Sequence, residues 1–150
     1  MPEKETLKRA RRDKRQGKAP STQAGEFIRE EIHHVREGKH GARSTKQAIA
    51  IGLSKARRAG VKLGNPPANA RPETKRSAKS AARAGRKRTK RTSPGRARGA
   101  RRALKHEKRS VASHAALARQ ARSAARRRSP RARRAAAKKA AQTRRRRAAA

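Results

Sequence analysis

The chain has no cysteine, tryptophan or tyrosine, and Phe27 is the one aromatic residue among its 150 residues. The lack of cysteine excludes a disulfide framework and a cysteine-ligated zinc site. The near absence of aromatic residues leaves little large apolar surface for a core and few rings on which single-stranded bases could stack. No run approaches the roughly 18 apolar residues that a transmembrane helix needs. Any fold must therefore be held together by modest packing or by a ligand.

Acidic residues are also scarce. Nine Asp and Glu residues accompany 48 Lys and Arg residues, so the formal net charge at pH 7 is +39. The imbalance grows along the chain, because residues 1–63 carry 17 basic and 7 acidic side chains whereas residues 64–150 carry 31 and 2. A chain with this charge repels itself unless a polyanion neutralises it. The composition therefore favours a nucleic-acid partner over an anionic membrane.

The composition divides the chain into four parts. Residues 1–20 form a charged segment, residues 21–63 a helical head, residues 64–72 a proline-rich linker and residues 73–150 a basic low-complexity tail. Blocks of like charge with so little apolar surface do not offset the entropy of ordering the chain. We therefore expect a mostly α and disordered protein, in which a small helical hairpin head precedes a long cationic tail that is helical in segments at most. The charged segment is expected to form only a frayed, solvated helix.

Two helices are predicted in the head. The first begins at residue 21 or 22, carries apolar residues at helical spacing and stops at Gly38. The second covers residues 45–59, because residues 44–47 (STKQ) match the capping-box pattern and Gly60 would end the helix in a Schellman-like turn. A core this small is at the lower limit of independent stability. The head is therefore a candidate for homo-oligomerisation or for stabilisation by its ligand.

A short motif in the head resembles a known family. Residues 36–39 (REGK) and 44–56 (STKQAIAIGLSKA) are similar to a family of small basic bacterial proteins of unknown function with a KQAIAIxLSxA core. The resemblance covers residues 22–63. It implies a bacterial origin and a helical head, and it implies no catalytic residues.

The two predicted helices also allow a helix-turn-helix interpretation, with residues 45–59 as the recognition helix. The polar side chains that would then lie near DNA are Lys46, Gln47, Ser54, Lys55, Arg57 and Arg58. However, the connection is longer than the usual turn of 3–4 residues, and no third supporting helix is evident. A packing hairpin that positions the tail is the better-supported alternative.

No catalytic, cofactor or metal site is predicted. The head is too small to enclose a water-shielded pocket, so we expect a non-enzyme without a cofactor. His33, His34 and His40 suggest a metal site, but adjacent histidines face different sides of a helix and no nearby Cys or Asp completes a ligand set. The glutamates of the first head helix are interpreted as partners of the helix dipole.

The tail alternates basic clusters with alanine-rich spacers. Alanine and arginine favour helix, but repulsion between cations three and four residues apart opposes it. We therefore expect residues 100–127 and 131–147 to become more helical when phosphates neutralise them. The Ser-Pro steps at residues 93–94 and 129–130, together with the Ala/Lys/Arg/Ser/Pro alphabet, resemble the tails of linker histones and of bacterial histone-like proteins. Simple helix breakers between solvated segments are the alternative interpretation of these steps.

These observations favour sequence-independent binding and compaction of DNA by a histone-like, nucleoid-associated protein of the cytoplasm. Arginine outnumbers lysine by 32 to 16, which favours bidentate phosphate contacts. The predicted nucleic-acid-binding residues are the basic clusters of the tail, namely Arg86, Lys87, Arg88, Lys90, Arg91, Arg101, Arg102, Arg126, Arg127, Arg128, Arg144, Arg145, Arg146 and Arg147.

Two other functions remain open at this stage. An RNA-binding or ribosome-associated protein is the first alternative, because a tail that seeks phosphates does not distinguish DNA from RNA. A membrane-active cationic protein is the second, and it is disfavoured because the arginine-rich segments carry little Trp, Phe or Leu to insert into an interface.

Overall fold

Seven α-helices account for most of the residues that the structure describes. The computed structural model describes residues 2–87 and 93–148, apart from the side chains of residues 87 and 147. In chain order the helices are α1 (Lys4–Arg15), α2 (Pro20–Arg36), α3 (Thr45–Arg58), α4 (Pro72–Lys87), α5 (Pro94–Lys105), α6 (His114–Arg126) and α7 (Pro130–Ala148), with a 3-10 turn at Ser110–Ala112. They fall into two compact units, the first unit Met1–Ser113 and the second unit His114–Ala150.

The core of the first unit forms where α2 packs against α1 and α3. Its buried members are Ala10 of α1, Ala24 and Phe27 of α2, and Ala56 of α3. Four partly buried aliphatic side chains pack around them, Leu7, Leu53, Val61 and Leu63. Phe27 has no exposed surface, so the one aromatic side chain fills the centre of this core.

The N-terminal segment is part of this core. Thr6, Ala10 and Asp13 recur at a helical spacing of four and three residues, and all three are buried. The carboxylate of Asp13 also accepts a hydrogen bond from Lys18 Nζ at 2.8 Å. The frayed, solvated helix expected for residues 1–20 is therefore replaced by a helix that packs on α2. Two small polar residues and Ala10, with the partly buried Leu7 beside them, define its inner face.

Helices α2 and α3 approach closely through small residues. Ala48, Gly52 and Ala56 follow one another at intervals of four on α3, and all are buried. A Cβ atom at Gly52 would lie only 2.7 Å from Ile28 Cα, so a larger residue there would force the two helices apart. The two helices predicted in the head are confirmed, with bounds within about two residues of those expected.

The predicted chemistry at the ends of α3 is observed with one difference. Ser44 Oγ accepts a hydrogen bond from the Gln47 N–H at 3.2 Å, but Gln47 Oε1 accepts from the Arg43 N–H at 2.6 Å, where a capping box would use the Ser44 N–H. After the helix, Gly60 adopts a φ of 88°, and the N–H of Val61 bonds back into the last turn at 3.1 Å. This is the Schellman arrangement expected at a glycine stop.

The expectation of a mostly disordered chain with a long tail is wrong, because α4 to α7 occupy most of residues 72–148. Helix α4 packs on α3. Ala81 is 2% exposed at this contact, and a Cβ atom at Gly85 would collide with the carbonyl oxygen of Arg57. Alanine and glycine bury little area each, but they let two backbones come close. The sequence argument from large apolar residues missed this mode of packing.

A second part of the expected tail also returns to the head. The docked segment, residues 104–112, lies along the loop between α2 and α3. The Gly41 N–H donates to the Leu104 carbonyl at 2.8 Å, and the Ala42 N–H donates to the Lys108 carbonyl at 3.1 Å. Amino-acid composition does not predict backbone hydrogen bonds of this kind. The high charge of residues 104–112 therefore led to the wrong prediction that they are disordered.

The docked segment is further held by side chains of α2 and α3. Arg36 Nε donates to the carbonyl of Ala112 at 2.8 Å, and Thr45 Oγ1 donates to the carbonyl of Val111 at 2.7 Å. Ala112 is fully buried. The first unit therefore extends well beyond the predicted head and includes α4 and α5.

The second unit has little buried surface. Helix α6 carries a few half-buried residues, whereas every described side chain of α7 is exposed. Both helices are rich in alanine, which favours helix without a core to pack against.

Candidate nucleic-acid interface

Helix α4 has an inner apolar side and an outer cationic side. Ala81 and Gly85 lie on the side that packs against α3. At 100° per residue, five exposed cations fall within an arc of about 100° on the opposite side. They are Lys75, Arg76, Lys79, Arg83 and Arg86, called the α4 cationic face below. Packing on α3 therefore fixes the direction in which these charges point.

Helix α5 repeats this segregation of charge. Its α5 cationic face consists of Arg98, Arg101, Arg102 and Lys105, which are exposed and occupy a similar arc. The half-buried Leu104 lies outside that arc and begins the docked segment. The hydrogen bond from Gly41 to Leu104 attaches the end of α5 to the head.

Helix α6 carries a narrower cationic face in the second unit. Arg119, Arg122 and Arg126 are exposed and lie within an arc of about 60°, opposite the half-buried Leu117. Together with Arg127 they line an open depression of about 340 Å³. Four guanidinium groups around one depression form a site of the kind that binds anionic oxygens in bidentate fashion.

Helix α7 distributes its cations differently. Its arginines and lysines with described side chains spread over about 240° of the helix surface when they are projected at 100° per residue, more than twice the arc of the α4 cationic face. All of its described side chains are exposed. It forms a basic rod without a defined inner face.

The predicted binding residues divide into three groups in the structure. Those with described side chains are all exposed, namely Arg86, Arg101, Arg102, Arg126, Arg127, Arg128, Arg144, Arg145 and Arg146. Lys87 ends α4 and Arg147 lies in α7, but their side chains are outside the described part. Arg88, Lys90 and Arg91 lie outside the described residues altogether.

Sequence reasoning missed several cations of these faces, because it selected runs of adjacent basic residues. Neighbours in sequence are 100° apart on a helix, so a run spreads its charges over several sides. Arg98 and Lys105 complete the α5 face, and Lys79 and Arg83 are central to the α4 face. The signal that could have found them is a spacing of three and four residues, opposite alanines at the same spacing.

Three of the four acidic residues of the head, Glu26, Glu30 and Glu31, are directed inward. Glu26 forms an ion pair with Arg9 Nε at 2.6 Å, and its side chain is only 14% exposed. Glu30 and Glu31 are each 1% exposed, and both form ion pairs with Lys55 Nζ, at 3.1 and 2.8 Å. The dipole role expected for these glutamates is therefore wrong, since none lies in the first turn of α2. Because these three acids are largely buried, they offset little of the basic charge on the outer surface of the first unit, where Glu3, Glu5, Glu37 and Glu73 are exposed acids.

Lys55 has a structural role inside the head. Burial alone would lower the pKa of Lys55, but the ion pairs with Glu31 and Glu30 outweigh burial and raise that pKa above its ordinary value of 10.5. Burial would likewise raise the pKa of Glu30, but bonds from Lys55 and from the Glu3 N–H hold that pKa below 4.5. Lys55 is therefore committed to the interior and does not face a DNA groove.

The helix-turn-helix interpretation loses support for a second reason. Helix α3 is packed against α2 on one side and against α4 on another. A recognition helix needs one long side free to enter the major groove. Helix α1 supplies the third helix that the sequence lacked, but α4 occupies a side of α3.

Another group of polar side chains lies near the C-terminal end of α2, and it shares Glu31 with the ion pairs described above. Glu31, His34 and His40 each place one potential ligand atom within 4.8 Å of the other two. Sequence reasoning considered both histidines but interpreted Glu31 as a dipole partner. His33, as expected from its position next to His34, is 62% exposed and lies 3.7 Å from Glu37.

Comparison with known proteins gives a partial match. Residues 4–67 match the model of a family of unknown function, DUF6496. This supports the resemblance of the head to an uncharacterised family, and the match begins at α1 and ends within the linker. No significant match was found among curated proteins or among solved structures. Within the described part of the chain, none of the helices has both the length and the hydropathy to cross a membrane.

Proposed function

We propose that this protein binds duplex DNA without sequence preference, through the cationic faces of α4, α5 and α6. The observation that carries the proposal is the α4 cationic face, in which five cations point away from α3 while Ala81 and Gly85 hold the helix against it. Because the backbone of this face is already folded, binding carries no cost for ordering that backbone. Contacts to phosphates position a protein on DNA but do not by themselves read its sequence.

The dimensions of the faces suit contacts to several phosphates each. The α4 face extends from Lys75 to Arg86, which is about 16 Å at 1.5 Å per residue. The α6 face extends over eight residues from Arg119 to Arg126, or about 10 Å. Phosphates of one DNA strand follow each other at 3.4 Å along the helix axis. Each face can therefore neutralise a group of neighbouring phosphates and release their condensed counterions.

The distribution of cations over two units favours compaction. The first unit carries the α4 and α5 faces, and the second unit carries the α6 face and α7. Two linked binding units raise the effective concentration of the second binding event. A protein of this kind can hold two duplexes or two parts of one duplex, which is the activity of a histone-like, nucleoid-associated protein.

Binding by the full-length chain tests this function. Random and genomic duplexes of equal length should compete equally for the protein, and log K should fall against log salt with a slope near −7 if about 8 phosphates are neutralised. A slope shallower than about −3, or strong preference for one sequence, would contradict binding by phosphate contacts.

Preferential binding of RNA over duplex DNA would change the proposed partner. A single phenylalanine, which is fully buried, offers no surface for stacking unpaired bases. Duplex DNA should therefore compete at least as well as structured RNA in the binding assay. Crosslinking in cells, followed by separate recovery of DNA and RNA, should recover mainly DNA, and recovery of mainly RNA would overturn the assignment.

A further inference from the structure

A potential metal-binding cluster lies at the C-terminal end of α2. Glu31 and His34 are three residues apart on α2 and therefore share one side of the helix, while His40 comes from the loop that follows. One ligand atom of each lies within 4.8 Å of the other two. His40 Nε2 and Glu31 Oε1 are 3.4 Å apart. Two imidazoles and one carboxylate are a ligand set that zinc accepts.

The carboxylate of this cluster is buried without adequate hydrogen bonds. Glu31 is 1% exposed, and neither of its oxygens accepts a hydrogen bond of good geometry from the described residues. Lys55 Nζ lies 2.8 Å from Oε2 and supplies charge there, whereas Oε1 is the oxygen near His40. Lys55 is shared with Glu30, so its single charge faces two buried carboxylates. A buried carboxylate in this state benefits from a further cation.

Both histidines are oriented by second hydrogen bonds. His40 Nδ1 lies 3.0 Å from the carbonyl oxygen of Gly41, which leaves Nε2 directed at Glu31. His34 Nε2 lies 2.8 Å from Glu3 Oε1. Bonds from an imidazole to a backbone carbonyl or a carboxylate are those that fix the orientation of zinc-binding histidines. The side chains of His34 and His40 are 14% and 18% exposed, so the cluster is largely shielded from solvent.

We propose that Glu31, His34 and His40 bind one Zn²⁺ ion. Ligands at the usual zinc distances of about 2.0–2.2 Å are separated by about 3.3 Å in a tetrahedron. The separation of His40 Nε2 and Glu31 Oε1, 3.4 Å, already matches such an edge. His34 offers a ligand atom within 4.8 Å of those of Glu31 and His40, and water supplies the fourth ligand.

The position of the site gives the ion a structural role. A zinc ion bound there joins α2 to the loop that carries His40. The next two residues of that loop, Gly41 and Ala42, donate the backbone hydrogen bonds that hold the docked segment. Binding of zinc therefore stabilises the loop on which α5 and its cationic face depend.

Titration of the full-length chain tests the site. After treatment with a chelator, the protein should bind one equivalent of Zn²⁺ by calorimetry, and Co²⁺ should give the visible absorption of a tetrahedral site. His34→Gln and His40→Gln should each weaken binding by at least about 100-fold. His33→Gln is the matched control, because His33 is adjacent in sequence but exposed, and it should bind as the unchanged protein does.

A measurement on the unchanged protein tests the site even if the variants fail to fold. Zinc should shift the imidazole ¹⁵N resonances of His34 and His40 and leave those of His33, His106 and His114 in place. Binding weaker than millimolar, equal losses in His33→Gln, or shifts at His106 or His114 alone would overturn the proposal. In that event Glu31 and His40 form only an interior polar contact.

Discussion

Helices α4 and α7 have almost the same alphabet but different surroundings. Helix α4 has its cations on one side and packs the other side on α3, where Ala81 is 2% exposed. Helix α7 spreads its described cations over about 240°, and every described side chain is exposed. The two helices differ in how their charge is distributed: α4 confines its cationic face to one side and uses the opposite side, with Ala81 and Gly85, to pack on α3.

The largest expected effect is the loss of stability when the core of the first unit, against which α4 is held, is disrupted. Phe27→Ala should destabilise the first unit by about 3–5 kcal/mol, because it empties the centre of a small core. Amide exchange should then become fast throughout α1 to α4, while exchange in α6 and α7 should not change. Retained protection in α4 would mean that α4 is stable without the head, and the contrast with α7 would fail.

A smaller effect is expected at the contact of α4 with α3. Gly85→Ala places a methyl group against the Arg57 carbonyl and should cost about 1–3 kcal/mol in the free energy of unfolding. Gly99→Ala in α5 is the matched control, since a Cβ atom there meets nothing within 4 Å. The control should stabilise its helix by up to about 1 kcal/mol. Denaturant unfolding of both variants measures the two values, and equal signs would contradict close packing at Gly85.

The stability of the two units should also depend differently on pH. The pKa of Glu30 is below 4.5 in the folded head, so its contribution to stability is present above that value and is lost as pH falls through the folded pKa. The first unit should therefore lose stability below about pH 4.5, whereas residues 114–150 contain no Asp or Glu to titrate. Amide exchange at several pH values measures this, with Glu30→Gln as the variant that flattens the response. A parallel loss in α6 and α7 would argue against the interior ion pairs as its cause.

The parts of the fold that the sequence predicts are local. The bounds of α2 and α3, the Ser44 cap and the Gly60 stop all follow from residues within four or five positions of each other. The docking of α4 and of residues 104–112 depends on backbone contacts between distant segments. Such contacts use alanine, glycine and main-chain groups, which a count of large apolar residues does not register.

The candidate sites likewise combine features that local sequence predicts with features that depend on contacts between distant segments. The composition predicts a basic surface, but runs of adjacent cations did not reveal the cationic faces of α4, α5 and α6. Periodicity at three and four residues, which predicted α2, also finds Lys79 and Arg83 once it is applied to cations. The cluster of Glu31, His34 and His40 depends on the loop folding back onto α2, and residue spacing alone does not predict that.

The central claim is that a packed cationic face, more than total charge, binds DNA. The most direct measurement compares Lys79→Gln/Arg83→Gln/Arg86→Gln on the α4 face with Arg131→Gln/Arg133→Gln/Lys139→Gln on α7, because both sets remove three exposed charges and the α7 set does not share one side of its helix. In anisotropy titrations with duplex DNA, the α4 variant should reduce the magnitude of the salt slope by about 2.7, or about 0.9 per lost phosphate contact. The α7 variant should change the slope by less than about 1. Equal changes in the two variants would contradict the account and reduce the protein to an undirected polycation.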